Sequence, residues 1–506
     1  MEKENRECIL AQYTIRSKQE YIFRSNRLTE IMGASANITE SWNCLFEQAK
    51  SLGKKIRRVE DTKKFDIQEV TKAFEEHSLH MVELFQGGGN VTVLYDSISS
   101  YIDVNKVFSS YLLRSYPGMI PMAVCCRYTG NYQEDYRTLM QEAEKEKNRM
   151  VSGQSQFILP FSMMDRNTFQ PYAHVIEYEK EQLRLTEESY AKRVQGKKIA
   201  SKEPQAKVLD HLITEKNEES LLAVVHADGN NMGIKIAKML EGLTDYSSCI
   251  TKMRQFTGDT ANAFVTQGLE ALCECRKRLE KSKEGRYGKQ AFYFRRIISD
   301  GDDITFVCNA RFAMEYVQAY LKAVQKYRER NHSEWTYSSC AGICIFHSHY
   351  PFARAYSMAE QACDHAKEKV HGSIGQPIEE SWVDFHYIHS GLGGDLSGIR
   401  KRQGTEKCIA RPWRIGGDES DFHSFRKLQK LYEVLLEYGV SRSDIKTIGS
   451  EYENGAVYGR QELIRIYGHH KGLQKRLKEE YPQEEVLQRM LYDLAEVYDL
   501  WFKEGR

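Results

Sequence analysis

Residues 292–308, FYFRRIISDGDDITFVC, place two apolar, β-branched runs on either side of an acidic Asp-Gly turn. Glycine supplies the positive φ that a tight turn needs, so the stretch reads as a β-hairpin. A second hairpin of this kind lies far upstream at residues 80–96, HMVELFQGGGNVTVLYD. Working outward, the upstream hairpin is preceded by a strand-like run, CILAQYTI (8–15), and a helical pattern, KQEYIFRSNRLTEIMGAS (18–35). It is followed by a helical SSYIDVNKVFSSYLLRSY (99–116) and a strand-like MIPMAVCCRYT (119–129). The downstream hairpin follows LLAVVHA (221–227), a strand, and helical runs at 232–240 and 263–281. After it come a helix at 311–327, a strand at 337–346 and a final helix at 352–370. Both sets spell βαββαβ, the split βαβ or ferredoxin-like arrangement, with helices expected on one face of an antiparallel sheet.

The two sets keep the same internal spacing. Asp228 to Asp302 spans 74 positions and Thr14 to Gly89 spans 75, which points to a duplicated domain. The first copy carries Thr14 and Gly87-Gly88-Gly89-Asn90 where the second carries Asp228 and Asp300-Gly301-Asp302-Asp303. Only the second copy has the carboxylates. The expected organisation is therefore α+β: a non-catalytic unit over 1–130, a charged helical linker over 131–219, a catalytic unit over 220–397 and a helical bundle over 398–506. The run KRVQGKKIASKEPQAK (192–207) is expected to be exposed linker.

Composition bounds the function. The 506 residues are 41% hydrophobic and 28% charged, which excludes a disordered or fibrous chain. Lys+Arg of 72 against Asp+Glu of 71 leaves a net charge of +1, so no global field draws the chain to nucleic acid or an anionic membrane. No run approaches the roughly 18 apolar residues of a membrane span, and MEKENRECIL lacks the apolar core of a signal peptide. A cytoplasmic location is expected. Twelve cysteines without a C-x-x-C pair read as reduced, mostly buried thiols.

The carboxylates carry the chemistry. An aspartate at the end of one strand and two more in a neighbouring hairpin turn converge on one sheet edge, where Mg²⁺ binds through one or two carboxylates plus substrate phosphates. Two such ions about 4 Å apart activate a ribose hydroxyl and stabilise leaving pyrophosphate. Asp228, Asp302 and Asp303 are the expected catalytic and metal-binding residues, with Asp302 the primary ligand and Asp303 secondary or structural, because strand neighbours alternate faces. Gly229-Asn230-Asn231-Met232-Gly233 opens a helix and offers backbone N–H groups to a triphosphate. Lys367, on the final helix, is a candidate for the same phosphates, weighed against an ordinary solvated lysine.

Other short patterns read as structure. Gly393-Gly394-Asp395 and Gly416-Gly417-Asp418-Glu419 lack strands on both sides and are expected to be loops. Asp210-His211 and Asp364-His365 are incidental neighbours, and His347 and His349 in FHSHYPF are read as structural.

The segments QEYIFRSNRLTEIMGAS and GGGN, ADGNNMG, DGDDITF, AGICIFHSHYPFARAYSMAEQACDHAKEK and the RPW-containing tail resemble the Cas10 family, the Cmr2/Csm1-like large subunit of type III CRISPR effectors. The likeness runs from about residue 8 to the C-terminus, with D-G-D-D at Asp300 in place of the family's usual G-G-D-D. It implies two palm domains around bound nucleotides, with ATP converted to cyclic oligoadenylate, a second messenger of antiviral defence. It also implies that Asp228, Asp302 and Asp303 hold catalytic Mg²⁺ or Mn²⁺, and that Gly87, Gly88 and Gly89 form a nucleotide-facing turn. The family's HD nuclease domain and zinc-binding cysteine cluster are not found, so DNA cleavage is not expected. Asp300 is either a third carboxylate of the site or a restraint on the turn.

Three readings follow. The first is a Mg²⁺-dependent nucleotidyltransferase or cyclase acting on ATP or another nucleoside triphosphate. The second is a catalytically weak nucleotide-binding scaffold or sensor. The third is an RNA-guided CRISPR effector subunit with protein and RNA partners.

Overall fold

The computed structural model describes residues 7–59, 64–149, 159, 161–166, 168–178, 181–202, 212, 220–283, 286–371, 378–389, 391 and 393–502. The Asp210-His211 pair and the end of the 192–207 run lie outside the described residues. The chain divides into two compact units, one of residues 1–208, 231–265 and 297–302, the other of residues 209–230, 266–296 and 303–506.

In the first unit, strands β1 (Ile9–Arg16), β2 (Ile56–Arg57), β3 (Met81–Gly87), β4 (Asn90–Tyr95) and β5 (Ile120–Arg127) form one sheet in the order β2-β3-β4-β1-β5. Leaving out the short β2, this is the strand order of a βαββαβ unit, with β1 antiparallel to both β4 and β5. Period-2 alternation sends Leu10, Leu84, Leu94 and Val124 to one face. There they meet Leu139 of helix Tyr132–Arg149 and Tyr246, Ile250 and Met253 of helix Tyr246–Thr260. Arg254 of that second helix donates to the carbonyls of Leu84 (2.6 Å) and Glu83 (2.8 Å). On the other face the Tyr13 and Tyr95 hydroxyls lie 2.8 Å apart, and the Tyr13 ring meets Phe108 of helix Ile98–Ser115 edge-on.

Both faces are therefore covered, where one-sided cover was expected. The reason is the three- and four-residue spacing of Tyr246, Cys249, Ile250 and Met253, which buries that helix on the first unit's sheet. The 131–219 stretch is also more than helical linker, because β6 (Tyr172–Tyr178) and β7 (Glu181–Thr186) pair as an antiparallel ribbon before helix Glu187–Lys202.

A second sheet is formed by β8 (Leu221–Gly229), β9 (Phe294–Asp300), β10 (Asp303–Asn309), β11 (Ser339–His347), β12 (Ser381–Tyr387) and β13 (Trp413–Ile415), in the order β13-β12-β11-β8-β10-β9. The core order β11-β8-β10-β9 repeats that of the first unit. Beyond it, β12 adds in parallel to β11 and β13 adds antiparallel to β12. The RPW segment, expected in a helical tail, is thus sheet at Trp413, whose indole is fully buried.

Helix Ala313–Gln325 covers the Phe306 face through Tyr316, and helix Phe352–Lys367 covers the His226 face through Tyr356. Five helices from Phe425 to Val497 and a π-turn, Tyr498–Phe502, complete the C-terminal bundle. All twelve cysteines are free. Among the described residues no helix is long and apolar enough to cross a membrane.

Candidate nucleotide and metal site

Strand alternation puts His226 and Asp228 on one face of β8, and Thr305 faces His226 across the ladder. Asp303 opens β10 next to Ile304, whose partner Ala227 precedes Asp228 on β8. Two carboxylates thus stand at the same end of adjacent strands, on the face that helix Phe352–Lys367 covers. Their side chains are 35% and 30% exposed, which leaves both reachable from solvent. β11 supports the site from the other side, where Ser339 Oγ donates to the Asp228 carbonyl at 2.9 Å.

Lys367, at the C-terminal end of its helix, bonds the Asp228 carboxylate and also donates to the Gly229 carbonyl at 3.2 Å. One turn earlier, burial and the charges of Asp228 and Glu368 push the Asp364 carboxyl up against the opposing pull of Lys367. His226 Nδ1 lies 3.0 Å from Thr305 Oγ1 and 3.3 Å from Asp303 Oδ1. Burial lowers its pKa to about 4, with Asp228 opposing and Lys367 assisting, so near pH 7 the imidazole is neutral.

The Gly229–Gly233 loop differs in detail from the expected cradle. Asn230 is buried, and its side-chain amide donates to Ser338 Oγ (3.0 Å) and the Glu380 carbonyl (2.8 Å). That amide braces the loop. Asn231 takes the left-handed conformation (φ 59°) ahead of helix Met232–Met239, and a Cβ on Gly233 would meet open space.

In the first unit, Gly88 and Gly89 have φ of 57° and 67°, so the turn needs glycine there. Lys18 Nζ donates to the Gly89 carbonyl at 2.7 Å and to that of Gly88 at 3.2 Å. A Cβ on Gly89 would lie 2.8 Å from Asp300 Oδ2, so the Asp300 carboxylate leans over this turn. Burial raises the Asp300 pKa and Lys18 lowers it. A Cβ on Gly87 would press on Thr257 Cγ2 at 3.0 Å.

Among the described residues no three His, Cys, Asp or Glu side chains are grouped to hold a metal, so the expected set of Asp228, Asp302 and Asp303 is not preassembled. Asp228 and Asp303 nonetheless suit a hard, oxygen-seeking cation that completes its shell with phosphates. The Lys367 ammonium on Asp228 shows that this carboxylate accepts a cation.

Sequence reasoning missed Lys18, His226 and Asp364 as neighbours of these groups. His226 had a signal, since it lies two residues before Asp228 and so on the same strand face. Lys18 had none, since its contact with the turn depends on tertiary folding. The decoys behave as loops and caps: Asp395 caps helix Leu396–Arg402, and Gly416 to Glu419 follow β13 without strand structure. The exposed His347 and His349 rings lie 5.4 Å apart, tilted by 34°.

Residues 221–374 match the family described as Cas10/Cmr2, second palm domain. No curated protein matches the chain. Among solved structures, it resembles a Csm1–Csm4 cassette in complex with cA4 at TM-score 0.49 and 12% identity, over 97% of this chain and 69% of that one. The cassette with AMPPNP aligns at TM-score 0.46 and 12% identity over 97% and 70% of the two chains. Csm1 of T. onnurineus aligns at TM-score 0.45 and 13% identity over 96% and 69%.

Proposed function

We propose that this chain, whose residues 221–374 match the second palm domain of Cas10/Cmr2, is a Mg²⁺- or Mn²⁺-dependent nucleotidyltransferase that joins ATP, or another nucleoside triphosphate, into a cyclic oligonucleotide messenger. The observation that carries the reading is Asp228 near the end of β8 and Asp303 at the start of the neighbouring β10, with Lys367 bonded to Asp228. Asp228 and Asp303, with Asp302 from the same turn, would hold the divalent ion. That ion supplies a lowered pKa for a ribose hydroxyl and neutralises charge on the departing pyrophosphate.

The protein's own groups do the rest. Lys367 exchanges the Asp228 carboxylate for phosphate oxygens when a triphosphate arrives, which leaves Asp228 free to coordinate. Neutral His226 lies 3.3 Å from the Asp303 carboxylate. Gly87, Gly88 and Gly89 keep a turn on the first unit that backbone can approach closely, with Lys18 as its charge. Other CRISPR subunits and RNA belong to this proposal as partners.

Incubation with each nucleoside triphosphate and Mg²⁺ or Mn²⁺, with products read by mass spectrometry beside Asp302→Ala/Asp303→Ala, tests it. A cyclic or linear oligonucleotide made by the wild type and lost in the variant supports the reading. A chain that binds nucleotide but makes no product would favour the second reading, a nucleotide-sensing scaffold, for which the seating of Lys367 on Asp228 speaks.

A further inference from the structure

Strands β8 and β10 set one buried histidine against the carboxylates. His226 and Asp228 lie two residues apart on β8, and Asp303 and Thr305 two apart on β10, so strand alternation turns each pair to one face. Across the ladder His226 is paired directly with Thr305, and on its other side, in β11, with Gly342, which has no side chain. The backbone of helix Phe352–Lys367 closes over Gly342 there, and the Tyr356 ring of the same helix meets the imidazole edge-on at 5.6 Å. Walled in by β10 and this helix, His226 is only 6% exposed.

The enclosed ring has its Nδ1 between two oxygens, 3.0 Å from Thr305 Oγ1 and 3.3 Å from Asp303 Oδ1. The Asp303 side chain is divided between two environments. Its Oδ1 is buried, whereas the side chain as a whole is 30% exposed, so solvent reaches it away from the imidazole. A carboxylate can only accept, so the ring nitrogen that faces it carries the proton. One N–H shared between the Thr305 hydroxyl and the Asp303 carboxylate suits both distances.

We infer that His226 is a positioning residue for the divalent ion of the proposed site: its Nδ1–H holds Oδ1 of Asp303 and leaves the other carboxylate oxygen to the cation. The inference rests on the proposed function, in which Asp303 is a ligand. A donor behind a ligating carboxylate sets its orientation, and losing such a donor lowers metal affinity by about 10- to 100-fold. A ring present only to pack against Tyr356 would need its shape and not its N–H, which separates the two roles.

Mn²⁺ titration of the nucleotide-free full chain, followed by electron paramagnetic resonance under conditions where urea curves show each protein fully folded, tests it. His226→Phe keeps a ring against Tyr356 and loses the donor, while His226→Asn loses the ring and keeps a side-chain N–H near the Nδ1 position. Mn²⁺ affinity should fall about tenfold or more in His226→Phe and stay within about threefold of wild type in His226→Asn. The reverse order would show that the ring only packs, and equal affinities in all three proteins would show that Asp303 needs no such restraint. Either result overturns the inference and leaves the metal reading standing. A wild type that binds no Mn²⁺ overturns the metal reading itself, and the role of His226 falls with it.

Discussion

The ammonium of Lys367 is bonded to the carboxylate of Asp228, the last residue but one of β8. Under the proposed function Asp228 would hold a divalent ion, and a cation already seated on that carboxylate would compete with the metal, so removing it has opposite effects on the two ligands. Lys367→Ala should tighten Mn²⁺ binding to the nucleotide-free protein, read by electron paramagnetic resonance, and weaken triphosphate binding, each by about tenfold. Weaker Mn²⁺ binding in the variant would show that Lys367 organises the carboxylates and does not compete for them.

Gly342 in the middle of β11 sets how closely helix Phe352–Lys367 approaches the sheet. A Cβ there would lie 1.9 Å from the Ala359 carbonyl oxygen and 2.4 Å from the Cys363 nitrogen, both backbone atoms that cannot rotate away. Gly342→Ala should therefore cost about 1–3 kcal/mol in urea unfolding, the usual scale of overpacking. It should also raise the KM for the triphosphate, because the lifted helix carries Lys367. An unchanged urea midpoint would mean the helix shifts freely.

Much of this fold was legible because its signals are local. Glycine turns between β-branched runs gave both hairpins, and their matched spacing gave the duplication. Two strands of the second sheet escaped for a physical reason: SWVDFHY places Asp384 and His386 inward, buried to 0% and 5% exposure, so its polar positions face the core and the usual alternation is hidden. Trp413–Ile415 is too short to show a period at all. The attachment of helix Tyr246–Thr260 to the first sheet is tertiary and has no local mark. At the site, Asp228 and Asp303 stood out from their positions at strand ends. The engagement of Asp300 with the glycine turn and the bracing role of Asn230 depend on side-chain directions that a linear pattern does not carry.

His386 gives the chain an acid-sensitive element. Burial lowers its pKa to about 4, with Arg400 and Arg411 assisting and Glu496 opposing. The unfolded chain takes up this proton near pH 6.5 and the folded chain only near 4, so stability is full above 6.5 and falls as pH drops towards 4. The whole shift corresponds to about 3 kcal/mol. In urea titrations between pH 7 and 4, His386→Gln should lose about 3 kcal/mol less than the wild type. His226 titrates in the same window in both proteins and cancels. Identical pH profiles would count against a neutral, buried His386.

Asp384 is the most heavily committed carboxylate of the second unit. Arg400 grips it at 2.8 and 3.0 Å, His365 meets it at 2.7 Å, the Phe385 N–H donates at 2.7 Å and Arg411 Nε lies at 3.4 Å. Burial pushes its pKa up, but these partners together hold it far below the usual carboxylate range. Arg411 extends the network to Asp493, at 2.9 Å, on the helix Glu484–Val497. Asp384→Asn leaves two buried guanidiniums short of a counter-charge and should cost about 3–5 kcal/mol in urea unfolding. Because His365 lies two residues before Lys367, the loss should also reach the site as a raised KM for triphosphate at a temperature where the variant is fully folded. A stability change under about 1 kcal/mol would show that Arg411 and Arg400 find replacement partners. A normal KM in a folded variant would show that the helix end is fixed by its apolar packing alone.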